Sequence, residues 1–128
     1  MIFPIALHFS PDGTALIAYN GVGELWFWDV DTWQHEVRMN MPVTAHDLCF
    51  APDGRTFALA TGARATAGGQ RGEVQLWDTI ARERKTTLVS DEGGVQAVAF
   101  SPDGRMLVAG HANGSMTVWQ GAGKTDLD

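Results

Sequence analysis

The sequence predicts an all-β protein made of three copies of one four-stranded antiparallel unit. Three observations support this fold class: a turn motif occurs three times, a tryptophan-containing motif follows each copy, and β-prone runs alternate with turn residues between them. A compact chain of 128 residues buries roughly two-thirds of its surface, which is enough for a core. Hydrophobic residues make up 45% and charged residues 19% of the chain, so disorder is excluded as the main state.

The turn motif reads Phe-Ser-Pro-Asp-Gly in the first and third copies and Phe-Ala-Pro-Asp-Gly in the second. It occupies residues 9–13, 50–54 and 100–104. Proline presets φ at the second position of a turn, aspartate accepts hydrogen bonds from nearby backbone N–H groups, and glycine tolerates positive φ. The residues that we assign to these turns are Pro11, Asp12, Gly13, Pro52, Asp53, Gly54, Pro102, Asp103 and Gly104.

The second motif is a strand that ends in tryptophan, followed by aspartate in two of the three copies. It occupies residues 25–29, 74–78 and 116–120. The landmark residues are Trp28, Asp29, Trp77, Asp78 and Trp119. From proline to tryptophan the distance is 17 residues in copies one and three but 25 in copy two, so copy two carries an insertion of eight residues.

Each copy therefore predicts a meander of four short strands. A β-prone run precedes the Pro-Asp-Gly turn, a second run follows it, a hairpin turn such as Asn113-Gly114 leads to the third run, and a fourth run follows the tryptophan. We place the units at about residues 1–41, 42–90 and 91–128 of a single domain. Because the chain ends at Asp128, we expect the fourth strand of the last unit to be short or absent.

These motifs resemble those of the tryptophan–aspartate (WD) repeat family of β-propellers, from about Phe3 to about Trp119. The resemblance implies three propeller blades and a role as a protein-interaction scaffold. The family's blades often carry a buried hydrogen-bonded set that includes a Gly-His pair and a hydroxyl in the second strand. This sequence has no Gly-His pair before the first strand of any copy, and Ala109 replaces the hydroxyl, although Thr61 keeps it. We therefore expect that set to be missing and the blades to rely on apolar packing.

Three blades do not close a propeller, since propellers typically have at least about four. The outer faces of the first and third units should then be apolar and should mark interfaces. We expect self-association into a homo-oligomer, a dimer of six blades or a trimer of nine. The alternatives are a fragment of a longer, multidomain propeller protein and a propeller that binds a small ligand without catalysis.

Composition excludes several other functions. The net charge of −6, with nine scattered basic residues, argues against nucleic acid. A single Cys49 excludes an internal disulfide and favours the cytoplasm. No basic leader and no run of about 18 apolar residues is present, so we expect neither a signal peptide nor a membrane span. We find no catalytic set, no cofactor motif and no metal-ligand spacing, so we expect no enzyme, cofactor or metal.

Partner contacts are expected on the loops that join the blades and on the insertion, which lies at residues 62–72. The insertion is rich in glycine and alanine and should be flexible. The resemblance places the turn between the second and third strands on the face that usually binds partners. The predicted contact residues are Asn40, Met41, Arg64, Arg71, Asp91, Glu92 and His111.

Overall fold

A computed structural model of the chain describes residues 6–20, 23–40, 45–66, 69–120 and 123–127. Every helix or strand in these ranges is a β-strand, which confirms the all-β prediction. The chain divides into two compact units, Met1–Ala45 and His46–Asp128. The strands fall inside the three predicted repeat units, whose boundaries remain predictions.

The first compact unit holds one four-stranded sheet, blade 1. Its strands are β1 (Ala6–Phe9), β2 (Ala15–Tyr19), β3 (Glu24–Asp29) and β4 (His35–Asn40), each antiparallel to the next. Side chains alternate between the two faces of the sheet. One face carries Ile17, Tyr19, Leu25 and Phe27, which are all buried.

The second compact unit holds blades 2 and 3. Blade 2 consists of β5 (Asp47–Phe50), β6 (Thr56–Thr66), β7 (Gly69–Asp78) and β8 (Glu83–Ser90), each antiparallel to the next. Blade 3 consists of β9 (Val95–Phe100), β10 (Met106–His111), β11 (Met116–Gln120) and β12 (Gly123–Leu127), also antiparallel. One pairing, Gly62 with Val95, links the two sheets.

Two expectations need correction. The fourth strand of the last unit is present: β12 has five residues and pairs with the whole of β11. The insertion is not a flexible loop, because it lengthens β6 and β7 into a paired hairpin from Ala63 opposite Gly72 to Thr66 opposite Gly69. Composition suggested flexibility, but backbone pairing satisfies the N–H and C=O groups of these residues whatever their side chains.

The Pro-Asp-Gly turns have the predicted geometry. Gly13, Gly54 and Gly104 have φ values of 75°, 72° and 75°, in the region that glycine tolerates best. The Asp103 carboxylate accepts hydrogen bonds from the Ser101 hydroxyl at 2.6 Å and from the backbone N–H of Arg105 at 3.0 Å. The Ser101 bond is the main cause of an Asp103 pKa below its ordinary value.

The aspartates of the second motif organise the turns that follow them. The Asp78 carboxylate accepts hydrogen bonds from the backbone N–H groups of Ala81 at 2.8 Å and of Ile80 at 2.9 Å. The bond from Ala81 is the main cause of an Asp78 pKa below its ordinary value, and the bond from Ile80 adds to it. Asp29 accepts the corresponding bonds from Asp31 and Thr32. These carboxylates therefore have the structural role in turns that their regular spacing indicated.

The core of the second unit lies where blades 2 and 3 pack together. Its members come from both blades, and they are Ala58, Ala60, Val74, Val95, Val98, Leu107 and Ala109, with Cys49, Leu76, Leu88, Phe100 and Trp119 packed against them. Burial raises the pKa of the Cys49 thiol to about 12. The thiol therefore stays protonated at neutral pH and behaves as a small apolar side chain.

Candidate interaction surface

Three turns of the second unit meet at one end of blades 2 and 3. They are the β6–β7 hairpin, the β8–β9 turn and the β10–β11 turn, and we call this end the hairpin end. Arg71 of the hairpin makes an ion pair with Asp91 of the β8–β9 turn, with 3.3 Å between Nε and Oδ1. The two side chains are 50% and 72% exposed, so the pair lies in solvent and adds little stability.

Side-chain hydrogen bonds join the β8–β9 turn to the β10–β11 turn. The Asn113 amide donates to the Glu92 carbonyl at 3.0 Å, and the Ser115 hydroxyl donates to the Glu92 carboxylate at 3.2 Å. The backbone N–H of Glu92 donates to the Ser90 hydroxyl at 3.2 Å. Because both turns share these bonds, Glu92 is held in place rather than free to swing.

A buried hydrogen-bonded set lies beneath these turns and is centred on His111, which is 6% exposed. His111 Nδ1 lies 2.9 Å from the Gly93 carbonyl, and Nε2 lies 2.7 Å from the Thr117 hydroxyl. A carbonyl only accepts, so Nδ1 donates to Gly93, and the Thr117 hydroxyl can donate to Nε2 in the tautomer that carries its hydrogen on Nδ1. The Thr117 oxygen also lies 2.8 Å from the Ser90 hydroxyl at the end of β8.

This set corrects the expectation that the blades rely on apolar packing without buried side-chain hydrogen bonds. The family's hydroxyl is absent from its position in blade 3, where Ala109 stands. This chain builds a different set from His111, Ser90 and Thr117, and it connects blade 2 to blade 3. One signal was available, since Thr117 is a polar residue on the face of β11 that also carries Trp119.

Further buried polar sets lie within blade 2 and within blade 1. In blade 2, the Thr61 hydroxyl donates to the Glu73 carbonyl at 3.2 Å, so Thr61 does keep a bonding role. The Trp77 indole donates to Gln75 at 3.0 Å, and the Gln75 amide donates to Glu73 at 3.3 Å. In blade 1, the buried side chains of Asn20 and Glu24 are joined at 2.9 Å.

The structure places the predicted contact residues in different environments. Arg71, Asp91 and Glu92 come together at the hairpin end, and Arg64 lies opposite Arg71 in the hairpin register. His111 lies below the surface and supports the turns. Asn40 is the last residue of β4 in the other compact unit, and Met41 lies outside the described residues. Asn113 and Ser115 also belong to the hairpin end, although the sequence predicted only a hairpin turn at Asn113.

Within the described ranges, no three His, Cys, Asp or Glu side chains form a group that could hold a metal ion. The same part of the chain contains no helix long and apolar enough to cross a membrane. The hairpin end presents the charged side chains of Arg71, Asp91 and Glu92 and the hydrogen-bonding side chains of Asn113 and Ser115.

Part of the chain matches a known family model. Residues 82–120 match the model of the family described as WD domain, G-beta repeat. This match covers β9–β11 and the strand before them, so the predicted resemblance to WD repeats is confirmed.

Individual relatives are similar at low identity. The small ribosomal subunit protein RACK1 of Schizosaccharomyces pombe is 25% identical over 124 residues, which are 90% of this chain and 37% of the relative. The small ribosomal subunit protein RACK1y of Oryza sativa subsp. japonica is 26% identical over 128 residues, covering 92% of this chain and 34% of the relative. The LST8 homolog of Drosophila melanogaster is 31% identical over 71 residues, covering 56% and 23%. The chain spans about a third of the length of the two RACK1 proteins.

Proposed function

We propose that the chain is a non-catalytic protein-interaction scaffold that binds partner proteins through the hairpin end and associates with itself. The observation that carries the first part is the convergence of three turns on a buried hydrogen-bonded set. This set fixes the turns before a partner arrives, so little conformational entropy is lost on binding. The names of the two RACK1 relatives, small ribosomal subunit proteins, add support because they describe components of a large assembly.

The charges at the hairpin end define the kind of partner. Arg71 and Asp91 are exposed charges of opposite sign at 3.3 Å. An exposed pair of this kind is worth about 0–1 kcal/mol, so a partner with charges of both signs can replace it at little cost. Charges at the rim of an interface mainly govern the association rate and its salt dependence. We therefore propose a salt-sensitive protein partner rather than a nucleic acid or a membrane.

The test compares partner capture by the Arg71→Ala and Arg64→Ala double variant with capture by the Arg55→Ala and Arg105→Ala double variant. Arg55 and Arg105 are exposed arginines that follow the Pro-Asp-Gly turns of blades 2 and 3, so their removal controls for the loss of two positive charges. Tagged protein is cross-linked to partners and the captured proteins are quantified. We expect the hairpin variant to lose proteins that the turn variant retains. Equal capture by both would remove the hairpin from the binding surface.

Self-association is the second part of the proposal, with six or nine blades in a dimer or trimer. It is supported by exposed apolar residues on the strands of blades 1 and 3, among them Leu7, Phe9 and Met116. Size-exclusion chromatography with light scattering measures the mass directly. A folded species of 13.8 kDa would contradict it. We also propose a cytoplasmic location, supported by the lone Cys49 thiol and by the names of the ribosomal relatives.

One alternative is favoured by a specific observation. The chain spans only about a third of the two RACK1 relatives. A longer protein containing this segment would cover the exposed apolar faces with its own further blades. The faces would then be contacts within one chain, and the longer protein would bind partners through the same hairpin end.

A further inference from the structure

Blade 3 has one packed face and one open face. The packed face belongs to the core shared with blade 2. On the opposite face, Val108 is the cross-strand partner of both Ala99 and Val118, so these three side chains lie together. We call this surface the Val108 face. Its members are exposed or half-buried, and they are Ala97, Ala99, Val108, Gly110, Met116 and Val118.

Blade 1 also has an open apolar face. Leu7 and Phe9 of β1 are 60% and 59% exposed. Leu7 and Phe9 pair with Ala18 and Leu16 of β2, and these in turn pair with Trp26 and Trp28 of β3. The rings of the two tryptophans are stacked, with 6.4 Å between their centroids. We call this surface the Leu7 face. Its accessible members are Leu7, Phe9, Leu16, Trp26 and Trp28, whereas Ala18 lies on the same face of the sheet and is buried.

The repeat relates each open face to one side of the junction between blades 2 and 3. Counting from the Pro-Asp-Gly turn, Val108 corresponds to Ala58 of blade 2, which is buried against blade 3. Counting from the same turn, Leu16 corresponds to Leu107 of blade 3, which is buried against blade 2. The Val108 face thus repeats the blade 2 side of the junction, and the Leu7 face repeats the blade 3 side.

Side-chain size follows the same division. At the internal junction, β6 contributes the small residues Ala58 and Ala60, and blade 3 contributes the aromatic residues Phe100 and Trp119. Blade 2 also contributes Leu76 and Leu88, and blade 3 also contributes Ala109. The two open faces continue this pattern. The Val108 face is made mainly of Ala, Gly and Val, and the Leu7 face mainly of Leu, Phe and Trp. The Val108 face therefore resembles the blade 2 side of the internal junction, and the Leu7 face resembles the blade 3 side. Two faces of these kinds pack against each other inside the chain.

Resting on the self-association proposed above, we propose that the Val108 face of one copy packs on the Leu7 face of a second copy. The contact is head-to-tail, so two different surfaces meet and successive copies can close into a ring. It continues the internal junction from one chain to the next. It does not use the hairpin end, which stays available for partners.

The polar bonds of the internal junction are not repeated between copies. Inside the chain, the Asp47 carboxylate accepts a hydrogen bond from the Val98 backbone N–H at 2.9 Å. In blade 3, Ala97 stands at the repeat position that Asp47 has in blade 2. In blade 1, Trp26 stands at the position that Thr117 has in blade 3. The contact between copies is therefore apolar, and the assembly should dissociate on dilution.

The test uses two variants that each block one face. Leu7→Glu blocks the Leu7 face, and Ala99→Glu blocks the Val108 face; both residues are exposed, so the fold should tolerate the change. Ile80→Glu is the matched control, because Ile80 is 73% exposed but lies in the β7–β8 turn. Masses are measured by light scattering at a concentration at which the unmodified chain is associated, and circular dichroism checks folding. Phe9→Glu and Met116→Glu form a second pair on the same two faces.

We expect each face variant alone to have the monomer mass of 13.8 kDa, and Ile80→Glu to associate like the unmodified chain. An equimolar mixture of Leu7→Glu and Ala99→Glu should form a species of twice the monomer mass, because each variant supplies the face that the other lacks. No assembly in the mixture would overturn the head-to-tail contact, as would one face variant that still associates alone. Either of these two results would still be compatible with self-association through other surfaces. A monomeric unmodified chain would overturn both self-association and the head-to-tail contact.

Discussion

Gly72 lies at the closest approach between the hairpin and the β8–β9 turn, which makes Gly72→Ala a sharp test of the packing. A Cβ atom at this position would lie 2.1 Å from the Gly93 carbonyl oxygen, 2.9 Å from Val95 Cγ2 and 3.1 Å from His111 Cε1. The distance to the Gly93 oxygen is far shorter than van der Waals contact, and this oxygen belongs to the backbone. The Gly93 carbonyl cannot retreat without breaking its bond to His111 Nδ1.

The expected cost follows from these contacts. Overpacking a close-packed site costs about 1–3 kcal/mol, and a clash with fixed backbone belongs at the upper end, about 3 kcal/mol. Alanine gains about 0.5–1 kcal/mol over glycine in a strand interior, because it loses less backbone entropy on folding. The free energy of unfolding should therefore fall by about 2 kcal/mol, with the loss centred on the junction of the β6–β7 hairpin and the β8–β9 turn.

Urea denaturation followed by far-ultraviolet circular dichroism measures the effect, at a protein concentration at which every variant is monomeric, because the control residue Gly110 lies on the Val108 face. Gly110→Ala is the matched control, since Gly110 also lies in a strand and its Cβ would meet nothing closer than Ala97 Cβ at 3.9 Å. We expect the control to be unchanged or stabilised by about 0.5–1 kcal/mol. If Gly72→Ala proves as stable as Gly110→Ala, the close approach of the hairpin to the β8–β9 turn is refuted.

Two further predictions concern hydrogen bonds. Thr117→Val should lower the free energy of unfolding by about 1–3 kcal/mol, because it removes the hydroxyl that His111 and Ser90 bond; an unchanged urea midpoint would contradict the buried set. The folded-state pKa of Asp103 lies below 3.8, so its carboxylate stabilises the fold above pH 3.8, and this contribution disappears as the pH falls through the lower folded value. Asp103→Asn should therefore flatten the acid side of the Tm profile, and parallel profiles for the two proteins would refute the role of the turn carboxylate.

Local features of the fold were predictable from the sequence. Positive φ at Gly104 and the capping of turns by Asp78 follow from the residue types of four or five consecutive positions. The alternation of β-prone residues likewise placed the strands without any knowledge of their neighbours. β12 was missed because Gly123–Leu127 resembles a polar turn and is ordered by pairing with β11.

The candidate surface was predictable only in part. Arg71, Asp91 and Glu92 were expected to be contact residues because they lie on turns. Their grouping was not predictable, since the ion pair joins positions on two different turns. His111 was expected at the surface because it is polar and close to a turn. Burial is a property of the packed blades, and only there do Gly93 and Thr117 reach its ring.

The sequence by itself determined three four-stranded repeats, their turns and an apolar, alternating strand pattern, because φ preferences and side-chain alternation act between near neighbours. Only the tertiary structure decided that the insertion is a paired hairpin and that a histidine, a serine and a threonine link blades 2 and 3. Those bonds join Ser90 of β8 to His111 and Thr117 of blade 3. The bonds form only when the apolar faces of two blades pack together. The residue pattern of one strand does not indicate which strand will lie beside it, so the sequence could not predict these bonds.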